Sequence, residues 1–315
     1  MKILVYIESA NNKIHPVSLE SIVGAQKLKR LNGAEIYAVI FDTNLANTLT
    51  QYKLDGIIVA NNERLSNYHP ISYLETFHQL NSKYKPELII FGHTYETRDW
   101  VPRLSAKLDV PFISDCVSID YVNNTTVCRP IYQAKLVQTV TITSEQSIVS
   151  FQAGSFNIED LENDTCDCRN EDIDLSSIKQ TIKMGEKFQE SLGGVDLSTA
   201  EFIVSVGRGI GKEENIPIAQ NLAKKINAQI GSSRPVVDAG WLDHSRQIGS
   251  SGQTVSPKLY FALGISGAIQ HLVGMKGSKQ IIAINKDKNA PIFEIADYAV
   301  IGDLLEIIPK LTDSL

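Results

Sequence analysis

Several things are scarce in this 315-residue sequence. Cysteine occurs four times, as Cys116, Cys128, Cys166 and Cys168, and never as a CxxC pair. That spacing argues against a disulfide framework and against the common structural zinc motifs. Cys166-Asp167-Cys168 reads as two reduced thiols in an acidic surface loop. No apolar run reaches the roughly 18 residues of a membrane helix, so direct membrane insertion is not expected. Basic residues do not dominate: 30 Lys and Arg against 36 Asp and Glu leave a formal net charge of -6, which speaks against a nucleic-acid-binding surface. Met1-Lys2-Ile3-Leu4-Val5-Tyr6-Ile7-Glu8 reads as a strand from the first residue, with neither a secretory nor a transit segment before it. A cytoplasmic location is the expectation.

What is present is a rhythm. Apolar strand runs at 3–8, 34–41, 56–60 and 87–92 alternate with helical patterns at 16–33, around 45–54, at 71–83 and at 97–108. Short apolar strands separated by helices predict a parallel sheet covered on both faces. From 112 to 153 the pattern changes to alternating Thr- and Val-rich runs at 117–122, 127–140 and 147–152, read as antiparallel strands appended to that sheet. The acidic stretch 157–170 reads as a solvated loop. A connecting helix over 176–192 and a Gly193-Gly194 linker lead to a second α/β series. That series comprises strand 202–206, a glycine-rich turn, helix 215–226, a long polar loop, strand 259–263, helix 268–275, strand 280–284, a short strand near 298–300 and helix 303–311.

Chemistry-bearing motifs are few. Gly207-Arg208-Gly209-Ile210-Gly211-Lys212 follows a strand but fails both the GxGxxG and the Walker spacing. Arg208 on that turn is suited to bidentate contact with a diphosphate. Gly264-Ile265-Ser266-Gly267-Ala268 comes close to a GxSxG elbow, yet the sequence after it offers only His271, which is badly placed as a base, so a serine hydrolase is disfavoured. The same stretch, a buried strand running through a small-residue turn into a helix, favours an anion at the turn. His271 lies near the start of that helix, where the dipole disfavours imidazolium. No phosphate loop or catalytic cluster stands out in residues 1–190, which disfavours an adenine-nucleotide hydrolase or ligase.

Ser232-Ser233-Arg234-Pro235-Val236-Val237-Asp238-Ala239-Gly240-Trp241, Gln247-Ile248-Gly249-Ser250-Ser251-Gly252, the run 264–274 and the run 281–287 together resemble the α subunit of electron-transfer flavoprotein. The resemblance implies two α/β domains. Residues 1–192 would form a three-layer domain with a parallel sheet and appended antiparallel strands, contacting the β subunit. Residues 195–315 would form a Rossmann-like FAD-binding domain. It further implies AMP or a second FAD on the β subunit. Electrons would arrive from flavin dehydrogenases such as the acyl-CoA dehydrogenases of fatty acid β-oxidation and leave to a membrane quinone oxidoreductase. The alternative is an α subunit of a flavin-based electron-bifurcating complex that oxidises NADH. In neither role does the chain itself make or break bonds, although the bifurcating assembly would oxidise NADH. A scaffold that only steadies the β subunit is a further reading.

Carried over by position, the resemblance puts Arg208, Ser233, Arg234, Gln247, Gly249, Ser250, Ser251, Ser266, Gly267, Ala268, Ile269, Gln270, His271, Asn285, Asp303 and Leu304 at FAD. Arg234 is expected beside the isoalloxazine, where a fixed cation stabilises added electron density. Ser251, where many relatives have Thr, is expected at N5, and His271 toward the C2 carbonyl side. Arg208 and the helix start are expected at the diphosphate, and Asn285 and Asp303 at the adenosine half. Gln253 stands where relatives often carry Lys.

Overall fold

The computed structural model describes all residues except 11, 133, 180, 181, 183, 184 and 186–196. The chain divides into two compact units, Met1–Ile131 with Leu136–Glu186, and Tyr132–Lys135 with Lys187–Leu315. The expected connecting helix over 176–192 and the glycine linker fall largely outside the described residues, and 176–179 are not helical.

In the first unit, β1 (Lys2–Ile7) leads through a small ribbon, β2 (Ser9–Ala10) and β3 (Lys13–Ile14), into α1 (Pro16–Asn32). Pro16 at the first position, the His15 side chain accepting from Val17 N, and Gly33 in the left-handed region (φ 71°) set the limits of that helix. There follow β4 (Glu35–Ile40), β5 (Gly56–Asn61), α2 (Pro70–Tyr84), β6 (Leu88–Gly92), α3 (Tyr95–Leu108), β7 (Phe112–Cys116), β8 (Ser118–Tyr121), β9 (Thr125–Ile131), β10 (Leu136–Thr141), β11 (Ser147–Phe151) and β12 (Cys168–Asp172). Seven strands form one parallel sheet in the order β12-β5-β4-β1-β6-β11-β7. Alternate residues of β1 feed two cores: Ile3, Val5 and Ile7 pack with α1, while Leu4 and Tyr6 pack with α2 and α3. The α/β architecture is as the sequence predicts.

Three local expectations are corrected. The helix expected around 45–54 is only a short 3-10 turn, Ala46–Leu49; the Thr48 and Thr50 hydroxyls bond to Leu45 O and Asn47 O in competition with a longer helix. The strand at 147–152 is not antiparallel: β11 lies parallel between β6 and β7, buried along its whole length. Its serines mimic a solvated face, but Ser150 Oγ meets His93 Nδ1 at 3.0 Å and Ser147 Oγ meets Ser144 Oγ at 2.6 Å. The appended antiparallel strands are instead β10-β9-β8, a separate three-stranded sheet. Finally, the acidic stretch 157–170 is partly structural. Glu162 pairs with Lys53 at 2.7 Å and also with Arg30, and Cys168 opens β12 on the edge of the main sheet. All four thiols are free.

One buried carboxylate ties α1 to the loop after β11. Glu20 accepts from Gly154 N at 3.0 Å and from Phe156 N at 3.2 Å, and is 2% exposed. Burial pushes its carboxyl up to about 7, against the downward pull of those N–H groups. Glu20→Ala leaves these donors without their acceptor and is expected to cost about 2–4 kcal/mol. Thermal unfolding would show it, and a midpoint equal to wild type would refute the assigned role.

The second unit holds β13 (Phe202–Val206), α4 (Ile216–Lys225), β14 (Gln229–Ser232), α5 (Arg234–Asp238), β15 (Leu259–Leu263), α6 (Ile269–Met275), β16 (Ile281–Asn285), β17 (Tyr298–Ile301) and α7 (Leu304–Ser314). Its five strands are all parallel, in the order β14-β13-β15-β16-β17. β14 and α5 lie where the sequence suggests only loop. A four-residue strand with Gly231 inside carries little periodicity; the Ile248 side chain packs on that glycine, where a Cβ would lie 2.4 Å from its Cδ1.

Candidate functional site

From β13 the chain moves outward to β14, then returns to the other side of β13 as β15. The winding therefore reverses between β13 and β15, and in open parallel sheets ligands bind outside the carboxyl ends of the strands at such a reversal. The turns that follow those two strands meet there, main chain against main chain. Gly207 N donates to Leu263 O (2.8 Å) and Gly209 N to Gly264 O (3.0 Å). A Cβ on Gly207 would lie 2.3 Å from Gly264 O, and one on Gly264 (φ 64°) 2.7 Å from Gly209 Cα. Gly267 (φ 90°) is pressed against Ile292 in the same way: a Cβ on it would lie 2.2 Å from Ile292 N. These glycines interlock two turns, and Arg208 is left exposed on the rim they form.

The loop 247–253 closes on the next element. Ser250 N donates to Gln270 O (2.8 Å) and Val255 N to Gly274 O (2.8 Å). A Cβ on Gly274 would come within 2.4 Å of Gly249 N. This puts exposed Ser250 and Ser251 beside the start of α6, where Ser266, Ala268, Ile269 and Gln270 are also exposed. The first turn of a helix has N–H groups without intrahelical partners. Arg234 opens α5 at the carboxyl end of β14; its Nε lies 3.3 Å from Asp238 Oδ2 and its side chain faces solvent. Ser233, just before it, is buried, with its N–H on Val206 O (3.0 Å).

Not every expected residue presents its side chain on this edge. Leu304 is in the core with α4 and β15. Gln247 is 3% exposed, its Nε2 donating to Ser251 Oγ at 3.0 Å. Asn285 donates to Ile265 O (2.9 Å) and accepts from Asp287 N (3.0 Å), steadying the turn after β15. Asp303 caps α7 by accepting from Leu305 N and lies 2.8 Å from Lys286 Nζ. The Lys286 ammonium, then that backbone N–H, hold its carboxyl below the usual range.

His271 is 5% exposed, with Nε2 2.8 Å from Tyr260 Oη and Nδ1 buried without a partner in hydrogen-bond geometry. Burial lowers the imidazole to about 4, the Ile248 carbonyl opposing that shift. At neutral pH the ring is thus uncharged, and the cations among the expected site residues are the exposed Arg208 and Arg234. Tyr260 was not singled out by sequence. Its signal is a hydroxyl inside an otherwise apolar strand, and burial holds that phenol protonated. In the sequence Gln253 stands out only as a departure from relatives. Its carboxamide accepts from Leu197 N (2.8 Å) and donates to Ser245 O (2.5 Å), bracing the loop from within.

The donor set suits an extended cofactor with an anionic middle: two exposed guanidiniums, several hydroxyls and an exposed isoleucine around a glycine-built edge. Such a set could bind and orient a flavin dinucleotide.

Two family models match: the electron transfer flavoprotein domain over residues 3–173 and the electron transfer flavoprotein FAD-binding domain over 196–276. The chain is 36% identical over 322 residues to electron transfer flavoprotein subunit alpha of Thermoanaerobacterium thermosaccharolyticum, covering 99% of this chain and 97% of that one. It is likewise 36% identical over 317 residues to the subunit alpha of Bacillus subtilis, covering 99% and 96%. To the lactate dehydrogenase (NAD(+),ferredoxin) subunit LctC of Acetobacterium woodii it is 35% identical over 316 residues, covering 98% and 75%. The chain belongs to the electron transfer flavoprotein α-subunit family.

Proposed function

We propose that the carboxyl edge of the second unit's sheet holds FAD and that the chain works as an electron carrier in a heterodimer with a β subunit, which bears AMP or a second FAD. The observation that carries this reading is convergence. Arg208, Arg234, Ser250, Ser251 and Ser266 come from four separate stretches and stand on one edge, where the winding of the sheet reverses. The flavin, when bound, supplies the one- and two-electron chemistry. The protein's own residues bind and orient it: Arg208 and the backbone of 266–268 at the diphosphate, Arg234 beside the ring, Ser251 at N5, and neutral His271 toward the C2 carbonyl side. Asn285 and Asp303 serve the adenosine half, Asp303 through lone pairs that Lys286 and Leu305 leave. Donors would be flavin dehydrogenases such as acyl-CoA dehydrogenases, the acceptor a membrane quinone oxidoreductase, and the place of work the cytoplasm.

Co-expression with the β subunit, followed by an absorbance spectrum and stepwise reduction, tests the reading; a folded complex that stays colourless when FAD is added would end it. Arg234→Ala is expected to leave the fold intact, because the side chain is exposed. It should weaken FAD binding about tenfold or more, the scale of a charge-assisted contact, and lower the first reduction potential. If a flavin titration and a redox titration both match wild type, the assigned role is wrong. A second reading, electron bifurcation from NADH, is favoured by the similarity to LctC, whose name couples NAD(+) with ferredoxin. NADH oxidation by the purified heterodimer separates the two.

A further inference from the structure

Gln247 was expected to touch the cofactor, yet its side chain is turned inward. It is 3% exposed, and its Nε2 donates to Ser251 Oγ at 3.0 Å. The loop around it has little freedom. Gln253 N donates to Gln247 O (2.8 Å), Gly252 N to Gly249 O (3.0 Å) and Ile248 N to Ser232 O (2.9 Å). A Cβ on Gly252 would lie 2.3 Å from Gln247 O, so the main chain folds directly over it. Gln253 braces the same loop through Leu197 N and Ser245 O. Ser251, by contrast, is exposed on the rim.

A serine hydroxyl has one hydrogen to give and two lone pairs to receive with. Gln247 occupies a lone pair from the buried side, so the single hydrogen is left to point outward. We propose that Gln247 is a positioning residue that orients the Ser251 hydroxyl to donate toward the ligand, and that this edge therefore favours an unprotonated acceptor atom at that place. The proposal rests on the FAD reading above and refines it: an unprotonated ring nitrogen is such an acceptor, and the same nitrogen carrying hydrogen is not. The exposed hydroxyl alone would be free to give or receive. The buried amide, by taking one of the two lone pairs, biases that choice toward giving before any ligand arrives.

The test uses the full chain co-purified with its β subunit, with FAD titrated into the flavin-stripped complex at about pH 8.5 and a redox titration of the reloaded complex. Gln247→Glu keeps the shape but offers an ionised carboxylate that only accepts, so the Ser251 hydroxyl turns inward to donate to it. Gln247→Glu and Ser251→Ala are each expected to weaken FAD binding about five- to tenfold. They should also shift the first reduction potential in the same direction. The double variant is expected to be no weaker than either single one, and Ser251→Thr, which keeps the hydroxyl, to stay within about twofold of wild type. Wild-type binding and potential in Gln247→Glu, or losses that multiply in the double variant, would overturn the proposal. Should Gln247→Glu not fold, Gln247→Met replaces it, with an expected two- to threefold loss; wild-type binding there would likewise overturn it. A wild-type complex that takes up no FAD defeats the functional reading and this proposal together, whereas the variant pattern defeats the proposal alone.

Discussion

Gly207→Ala is expected to destabilise the second unit by about 2–4 kcal/mol and to strip the complex of FAD. The added Cβ would lie 2.3 Å from Gly264 O, 2.7 Å from Ile265 Cα and 2.8 Å from Gly264 C. All three are main-chain atoms, so no side chain can rotate out of the way. The two turns would have to separate, breaking the Gly207–Leu263 and Gly209–Gly264 hydrogen bonds that hold them and moving Arg208 and Ser266 off the rim. Thermal unfolding and visible flavin absorbance of the purified complex measure the two effects. Full FAD content at a wild-type unfolding midpoint would show that the turns are looser than their contacts imply.

Glu8→Gln is expected to flatten the pH dependence of stability, with the variant gaining about 2–4 kcal/mol on wild type between pH 5 and pH 8. Glu8 follows β1 and is 8% exposed, receiving the Thr94 hydroxyl, while its own N–H donates to Ser18 Oγ at 3.0 Å. Burial first, and the Glu96 carboxylate second, raise its carboxyl from 4.5 to about 8; the Thr94 hydrogen bond opposes them. Tyr6 and Tyr73 also sit close to these carboxylates, Tyr6 donating to Glu96 Oε1 at 2.8 Å. Between about 4.5 and 8 the folded chain holds a proton that the unfolded chain has released, so stability falls as pH rises through that window, by at most about 1.4 kcal/mol per pH unit. Glutamine mimics the protonated acid and cannot titrate. Urea unfolding at both pH values decides it: parallel slopes for wild type and variant would mean Glu8 ionises normally.

Strands buried on both faces were readable, because β1, β4, β5 and β6 are continuous apolar runs. So was α1, whose Pro16 and Gly33 mark its ends chemically. What escaped was polar atoms satisfied by partners distant in sequence. Ser150 looks solvated until His93 is brought beside it, and Glu162 looks like loop charge until Arg30 and Lys53 reach it. At the candidate site the glycines announced tight turns. Nothing local says that Gly207 presses on Gly264, or Gly274 on Gly249, rather than on a ligand. Gln247 and Ser251 are of similar polarity in the sequence, and only the folded loop decides which one faces outward.

The carboxyl group that α1 inserts between the Gly154 and Phe156 N–H groups is in effect a tethered hydrogen-bond acceptor. An acceptor delivered by the chain itself stands at a local concentration that dissolved phosphate or sulfate does not match. Buffer anions should therefore neither displace it nor be needed to hold that turn in shape.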